Sequence, residues 1–252
     1  MPTPVVLPRR TWGAADAPKR ALLIHGLGSN GALMWRFGAA LADAGYRVDA
    51  VDLRGHGTAP RVLDYTLEAF GVDALATRPD GADAWDLVIG HSLGGATAVL
   101  ASAADPAWAR RLILIDPGLR LDEADREIVR QGQADAFANP SSVDDLRAAY
   151  PHWHPHDIEL KAVSIAQASQ WAVEQVSSQN ATWDVMDAAS RLRVPTHIIG
   201  ADPAVYSIFT GPVAEEFLRS GLATMSVVTG AGHSPHRDDP ETTLAQLFEA
   251  LA

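Results

Sequence analysis

Short apolar runs alternate with helical stretches along most of the chain. Residues 5–12 alternate enough to predict a strand, and Pro8 confines it to a sheet edge or a bulge. Residues 19–24 are a second apolar run, ending in His25-Gly26-Leu27-Gly28. Ser29-Asn30-Gly31 then leads into a helix carrying Trp35, Phe37 and Leu41 that ends near Gly45. Residues 46–53 predict another strand, closed by Asp52-Leu53-Arg54-Gly55-His56-Gly57, and residues 66–76 predict a helix. Residues 87–89 are a buried strand that passes through the turn Gly90-His91-Ser92-Leu93-Gly94 into an alanine-rich helix. Residues 112–115 are four apolar positions followed by Asp116-Pro117-Gly118.

The rhythm changes from residue 119 to about 192, where no strand is evident. Helical patterns cover 121–137, 143–150, 158–176 and 180–192. Such a stretch is too long for a plain connection and reads as a helical cap inserted over the strand ends. The chain therefore divides into a core of residues 1–118 and 193–252 and a cap of residues 119–192. Strand and helix alternate again from Pro195: a strand at 196–199 ending in Gly200-Ala201-Asp202, and a helix at 213–218. A strand at 224–228 follows, closed by Gly230-Ala231-Gly232-His233, and then a C-terminal helix at 240–251. This order implies right-handed β-α-β crossovers and a mostly parallel α/β sheet flanked by helices. Ligands of such sheets bind beyond the carboxyl ends of the strands. The polar residues of the chain gather at those loops.

The 252 residues suit one large α/β domain with an insertion, and a hydrophobic fraction of 47% supplies its core. A net charge of −11 with no basic stripe argues against nucleic acid as a partner. It leaves room for an anionic substrate, because local arginines can outweigh the global charge. The absence of cysteine rules out thiol nucleophiles, disulfides and thiolate metal sites. No apolar run reaches membrane-spanning length and the N-terminal residues lack a signal-peptide apolar core, so a cytoplasmic protein with no membrane partner is expected.

A serine at the point of a sharp strand-to-helix turn, with glycine two positions to either side, is the arrangement of a nucleophile held in strained backbone. That makes Ser92 the candidate nucleophile. A serine hydroxyl needs a base, and the base needs a partner to hold its tautomer. His233, after the last strand, is the candidate base, with His236 as rival. Asp202, at the end of the penultimate strand, is the favoured acid, and Asp116 is the alternative. Asp157 lies in the cap, remote from the strand ends. Asp52 is expected to brace Arg54 or His56. His91 is expected to point away from the nucleophile, and His25 and His56 to shape their loops by hydrogen bonding. The backbone N–H groups of Leu93 and Leu27 are the candidate oxyanion donors.

The pieces His25-Gly26-Leu27-Gly28, Asp52-Leu53-Arg54-Gly55-His56-Gly57, Gly90-His91-Ser92-Leu93-Gly94-Gly95 and Gly232-His233 stand in the order nucleophile, acid, histidine. Over nearly its whole length the chain resembles the α/β-hydrolase superfamily. The resemblance implies a triad of Ser92, His233 and Asp202, an oxyanion hole at Leu27 and Leu93, and a helical cap after the sixth strand. The departure is at the acid. Many relatives have one more residue between glycine and aspartate than Gly200-Ala201-Asp202, which keeps Asp116 open.

Serine in the nucleophile position disfavours epoxide opening and halide displacement, for which relatives usually place aspartate there. The expected function is hydrolysis of a small soluble carboxylic ester, with water as co-substrate and no cofactor. Lactone, thioester, amide or carbon–carbon cleavage, lyase chemistry, or a hydrolase-like receptor are the alternatives. In the cap, Trp153, Trp171 and Trp183 are the candidate substrate contacts. His152, His154 and His156 alternate in a proline-bounded segment with metal-ligand chemistry, although a lid or hinge loop is the preferred reading and no metal is expected.

Overall fold

A computed structural model describes residues 2–219 and 221–252. The strands in chain order are β1 (Arg9–Trp12), β2 (Lys19–Ile24), β3 (Tyr46–Val51), β4 (Leu87–His91) and β5 (Leu112–Ile115). They continue as β6 (Arg120–Leu121), β7 (Trp183–Asp184), β8 (Thr196–Ala201) and β9 (Ala223–Val228). The helices are α1 (Trp35–Asp43), α2 (Leu67–Ala76), α3 (Leu93–Ala104), α4 (Glu123–Ala138), α5 (Val143–Ala149) and α6 (Pro155–Gln167). After them come α7 (Gln170–Gln179), α8 (Met186–Ser190), α9 (Gly211–Leu218), α10 (Pro235–Asp238) and α11 (Pro240–Leu251).

Among the described residues, seven strands form one sheet in the order β1-β3-β2-β4-β5-β8-β9. β1 is antiparallel to β3, and every other neighbouring pair is parallel. Successive side chains of a strand leave opposite faces, so the central strands supply two cores. Leu22, Ile24, Val88, Leu112 and Leu114 join Phe70 of α2, Val99 of α3 and Phe217 of α9 on one face. Leu23, Leu87, Ile89, Ile113 and Ile115 join Phe37 and Leu41 of α1 and Leu247 of α11 on the other. Helices covering both faces explain why these strands read as continuous apolar runs.

The helical insertion follows β5, the fifth strand of this sheet rather than the sixth, because only β1 precedes the parallel run. It is not strand-free: β6 pairs antiparallel with β7 and ties the chain entering the insertion to the chain leaving it. The helix expected over 158–176 is two, α6 and α7. The break falls at Ser169, whose hydroxyl caps Ala172 N–H at 3.3 Å and whose own N–H reaches Gly55 C=O at 3.3 Å. The stretch 180–192 holds β7 and the single turn-and-a-half of α8 in place of a helix. The insertion docks on the core through polar joints. Asp157 of α6 accepts from Trp35 Nε1 at 2.7 Å and Arg36 Nη2 at 2.5 Å. Asn180 accepts Leu67 N–H at 2.9 Å and donates to Tyr65 C=O at 2.9 Å.

Candidate active site

β4 ends at His91 and α3 begins at Leu93, so one residue turns the chain between them. That residue, Ser92, has φ 53° and ψ −117°. The glycines around it leave no room for side chains. A Cβ on Gly94 would stand 2.2 Å from Ile24 C=O, and one on Gly90 would stand 2.4 Å from Gly94 C=O. Ser92 and Asp116, at φ 36°, are the described non-glycine residues with positive φ. Strain of this kind persists only where the surrounding structure imposes it, and it clusters at functional sites.

The loop after β9 carries His233 to Ser92. His233 Nε2 lies 2.9 Å from Ser92 Oγ, and His233 Nδ1 lies 2.6 Å from Asp116 Oδ2. A carboxylate only accepts, so Nδ1 carries the imidazole proton and Nε2 is free to accept from the serine hydroxyl. Asp116 is fully buried at the end of β5 and also accepts from Ile208 N–H at 3.1 Å and Ser207 Oγ at 2.6 Å. The loop after β8 therefore wraps back to hold the acid of β5. A row of this form lets the imidazole take the serine proton during attack on a carbonyl.

Asp202, the favoured acid from sequence, does not reach His233. β8 runs on to Ala201, and Asp202 starts the turn beyond it. Its Oδ2 accepts Gly230 N–H at 2.7 Å and its Oδ1 accepts Ala204 N–H at 2.8 Å. These two backbone donors, Gly230 first, pull its pKa below the usual carboxylate value. The alternative acid, Asp116, occupies the place instead. The register explains the exchange: Ile115 of β5 pairs with Ile199 of β8, and β5 is the strand adjacent to β4.

The loop after β2 packs on the serine turn. A Cβ on Gly26 would lie 3.1 Å from Ser92 Cβ. Among the described residues the fold supplies no acceptor for the N–H of Leu27 or of Leu93. Two histidines hold this loop. His25 Nε2 accepts Leu53 N–H at 3.0 Å, and His56 Nε2 accepts Gly28 N–H at 3.1 Å. Burial pushes their pKa values down to about 3 for His25 and about 4 for His56. Asp52 makes no hydrogen bond to either expected partner among the described residues, although its charge acts on His56; it accepts Gly31 N–H at 2.8 Å and Thr58 N–H at 2.8 Å. Arg54 pairs instead with Asp73, at 2.6 and 2.7 Å.

His91 donates to the His233 backbone C=O at 2.8 Å, and burial holds its pKa well below the ordinary value. His236, the rival base, is buried against Phe37 with ring centroids 5.6 Å apart and accepts from Arg237 Nε at 3.3 Å.

A cavity of about 910 Å³ opens over Ser92 and His233. Its roof comes from the insertion: Ile128 and Gln133 of α4, Tyr150, Trp153 and Lys161. Of the three tryptophans expected there, Trp153 lines the cavity and donates Nε1–H to Asp238 at 2.7 Å. Trp171 packs edge-on against Tyr65, with centroids 5.6 Å apart and 44% of its surface exposed. Trp183 donates to Gly118 C=O at 2.6 Å from the ladder at the base of the insertion. Neither is among the residues that line the cavity. The three alternating histidines diverge. His152 faces Asp238 at 3.4 Å, His154 accepts His156 N–H at 3.1 Å as the cap of α6, and His156 lies 3.7 Å from Glu159. Among the described residues no three His, Cys, Asp or Glu side chains are grouped to hold a metal ion.

Two cavity residues carried no signal in the sequence, Lys161 and Arg237. Each sits on a helix, where a lone cation reads as part of a solvated face. Only the tertiary fold turns them inward.

A family model described as "Alpha/beta hydrolase family" matches residues 21–247. A lipase, LipV, of Mycobacterium tuberculosis is 37% identical over 53% of this chain, a match that spans about half (49%) of the lipase. A pimeloyl-[acyl-carrier protein] methyl ester esterase of Neisseria meningitidis is 29% identical over 91% of this chain and 92% of its own length. The solved structure of an E-2-(acetamidomethylene)succinate hydrolase superposes with a TM-score of 0.81 at 22% identity, covering 97% of this chain and 94% of the other. With its parallel sheet, its serine turn and a family match over nine-tenths of its length, the chain belongs to the alpha/beta hydrolase family.

Proposed function

We propose that this protein is a serine carboxylic-ester hydrolase acting on a small substrate through an acyl-enzyme, with residues 119–192 as its cap. Ser92 Oγ attacks the ester carbonyl. His233 takes its proton and delivers it to the leaving alcohol, and Asp116 holds the His233 tautomer and offsets the imidazolium charge. The Leu27 and Leu93 N–H groups receive the oxyanion. Water, deprotonated by His233, then releases the acid and frees Ser92. The observation that carries this reading is the continuous row Ser92 Oγ–His233 Nε2, 2.9 Å, and His233 Nδ1–Asp116 Oδ2, 2.6 Å, beneath a cavity. The names of the lipase and the methyl ester esterase among its relatives support ester cleavage over the other reactions of the family.

The test is a panel of p-nitrophenyl esters from acetate to decanoate, with lactones and a simple amide, assayed with wild type and Ser92→Ala. Ester turnover that falls by several orders of magnitude in Ser92→Ala is expected, on the order of a million-fold in kcat. Undiminished turnover in that variant would overturn the assignment. Faster Ser92-dependent cleavage of a lactone or an amide than of any ester would move the reaction class while keeping the site.

A further inference from the structure

The cavity over Ser92 is lined by two cations, Lys161 and Arg237, that form no ion pair within 4.0 Å among the described residues. Lys161 Nζ makes one hydrogen bond, to Gly28 C=O at 3.3 Å, so two of its three donors have no acceptor among the described residues. Arg237 is 5% exposed, and its hydrogen bond is Nε to His236 Nε2 at 3.3 Å. Its terminal Nη groups have no acceptor among the described residues. Trp153 lies under the guanidinium, 5.1 Å from ring centroid to Cζ. This is not how the fold treats its other buried arginine. Arg54, 1% exposed, is clamped by both oxygens of Asp73 and by Asp64 C=O.

A buried charge without a partner is costly, and two like charges facing one cavity add repulsion. The Lys161 ammonium reflects this: burial, then the nearby Arg237 charge, pushes its pKa down to about 8. Asp238, an acidic residue of the cavity lining, has both oxygens hydrogen-bonded elsewhere. Asp238 accepts Gly232 N–H at 2.9 Å on one oxygen and Trp153 Nε1–H at 2.7 Å on the other. The charges of Asp157 and Asp238 act on Arg237 from beyond ion-pair distance, and their oxygens are taken by other donors, so the free guanidinium and ammonium donors face the cavity that holds the nucleophile. Gly28, which holds Lys161, is the next residue after Leu27, so the cation stands beside the loop that faces the scissile carbonyl.

We propose that Lys161 and Arg237 form an anion-binding subsite that receives a carboxylate of the substrate, so that the ester hydrolysed is a half-ester of a dicarboxylic acid. The inference rests on the reading of Ser92 as the nucleophile for an ester. The reaction consumes one water and yields the dicarboxylate, an alcohol and a proton. The planar guanidinium over Trp153 presents paired donors that match two carboxylate oxygens, and the ammonium adds a third donor and a second charge. The cations orient the acyl chain from its far end while Ser92 attacks the near one.

The experiment compares monomethyl succinate, glutarate and adipate with methyl esters of unbranched monocarboxylic acids of matched length, following methanol release. The quantity read is the ratio of kcat/KM for half-ester to neutral ester, in wild type, Lys161→Gln and Arg237→Gln. A wild-type ratio on the order of ten or more is expected for at least one chain length, falling about tenfold in each variant. A ratio at or below one in the wild type, or one that survives in both variants, overturns the proposal. Calorimetric titration of glutarate and adipate into Ser92→Ala protein keeps the subsite testable without turnover, or if Arg237→Gln does not fold. Binding that is lost in the Ser92→Ala/Lys161→Gln protein supports it, and no binding of either dicarboxylate refutes it. Absence of all ester turnover alongside retained dicarboxylate binding would sink the esterase reading and leave the subsite standing.

Discussion

Replacing Asp116 by asparagine changes one atom in the row behind Ser92, and the geometry dictates two outcomes for it. Asp116 Oδ2 accepts both His233 Nδ1–H at 2.6 Å and Ile208 N–H at 3.1 Å, while Oδ1 accepts Ser207 Oγ–H at 2.6 Å. If the amide keeps its oxygen toward His233, the NH2 faces Ser207, whose hydroxyl can rotate to accept. The tautomer then survives, but the negative charge opposite the forming imidazolium is gone. If the amide turns the other way, NH2 faces Ile208 N–H and drives the proton off His233 Nδ1, leaving Nε2 protonated and unable to accept from Ser92. Either way the base fails. Loss of the carboxylate in such a row lowers kcat on the order of 10⁴-fold, about 5 kcal/mol of transition-state stabilisation. Asp202→Asn removes neither contact, since among the described residues that carboxylate accepts from Gly230 and Ala204, and its kcat is expected within about threefold of wild type. The assay is steady-state hydrolysis of p-nitrophenyl butyrate, with circular dichroism to show that both variants fold. A collapse in Asp202→Asn with near-normal Asp116→Asn would refute the reasoning, because it would require β8 rather than β5 to deliver the acid.

Three further outcomes follow from the packing. Gly94→Ala would press a methyl against the Ile24 and His25 carbonyls at 2.2 and 2.7 Å, and backbone cannot yield as a side chain would; a loss of about 3 kcal/mol or more is expected in guanidinium unfolding, and wild-type stability would contradict the close approach. Asp157→Ala strips the buried acceptor that joins Trp35 and Arg36 to α6, so a cost of about 3 kcal/mol and a Tm lower by roughly 6–10 °C are expected; an unchanged Tm would remove Asp157 from the joint. His25 and His56 have folded pKa values pushed far below the unfolded value, so the unfolded chain binds more protons between the two. Their stabilising contribution is complete above about pH 6.5 and declines as pH falls toward 4 and then 3, by about 1.4 kcal/mol per histidine per pH unit. Unfolding free energies that stay flat from pH 8 to pH 5 would show that these imidazoles titrate freely.

Ser92 was legible because its requirement is local. The residues that must be small are two positions away on each side, so steric demand and sequence spacing coincide at Gly90 and Gly94. His233 was legible for a similar reason, standing at the end of a glycine-rich loop after the last strand. The carboxylate partner of His233 was not, because its selection depends on sheet order. Asp116 and Asp202 both end parallel strands, and β5 lies next to β4 whereas β8 lies one strand further out. No spacing within the chain records that difference. Asp116 also adopts φ 36° with no flanking glycine pattern like that of Ser92 to announce the strain. The insertion shows the same division. Its helical content follows from periodicity, but β6 and β7 are two residues each and pair across more than sixty positions, too short to leave a periodic trace. Which insertion residues face the cavity depends on how α4 to α7 dock through contacts such as Asp157 with Trp35 and Asn180 with Tyr65. That docking turns Trp153 and Lys161 inward and leaves Trp171 half in solvent, although an aromatic residue is the more conspicuous pocket candidate in a sequence and a lone lysine the least.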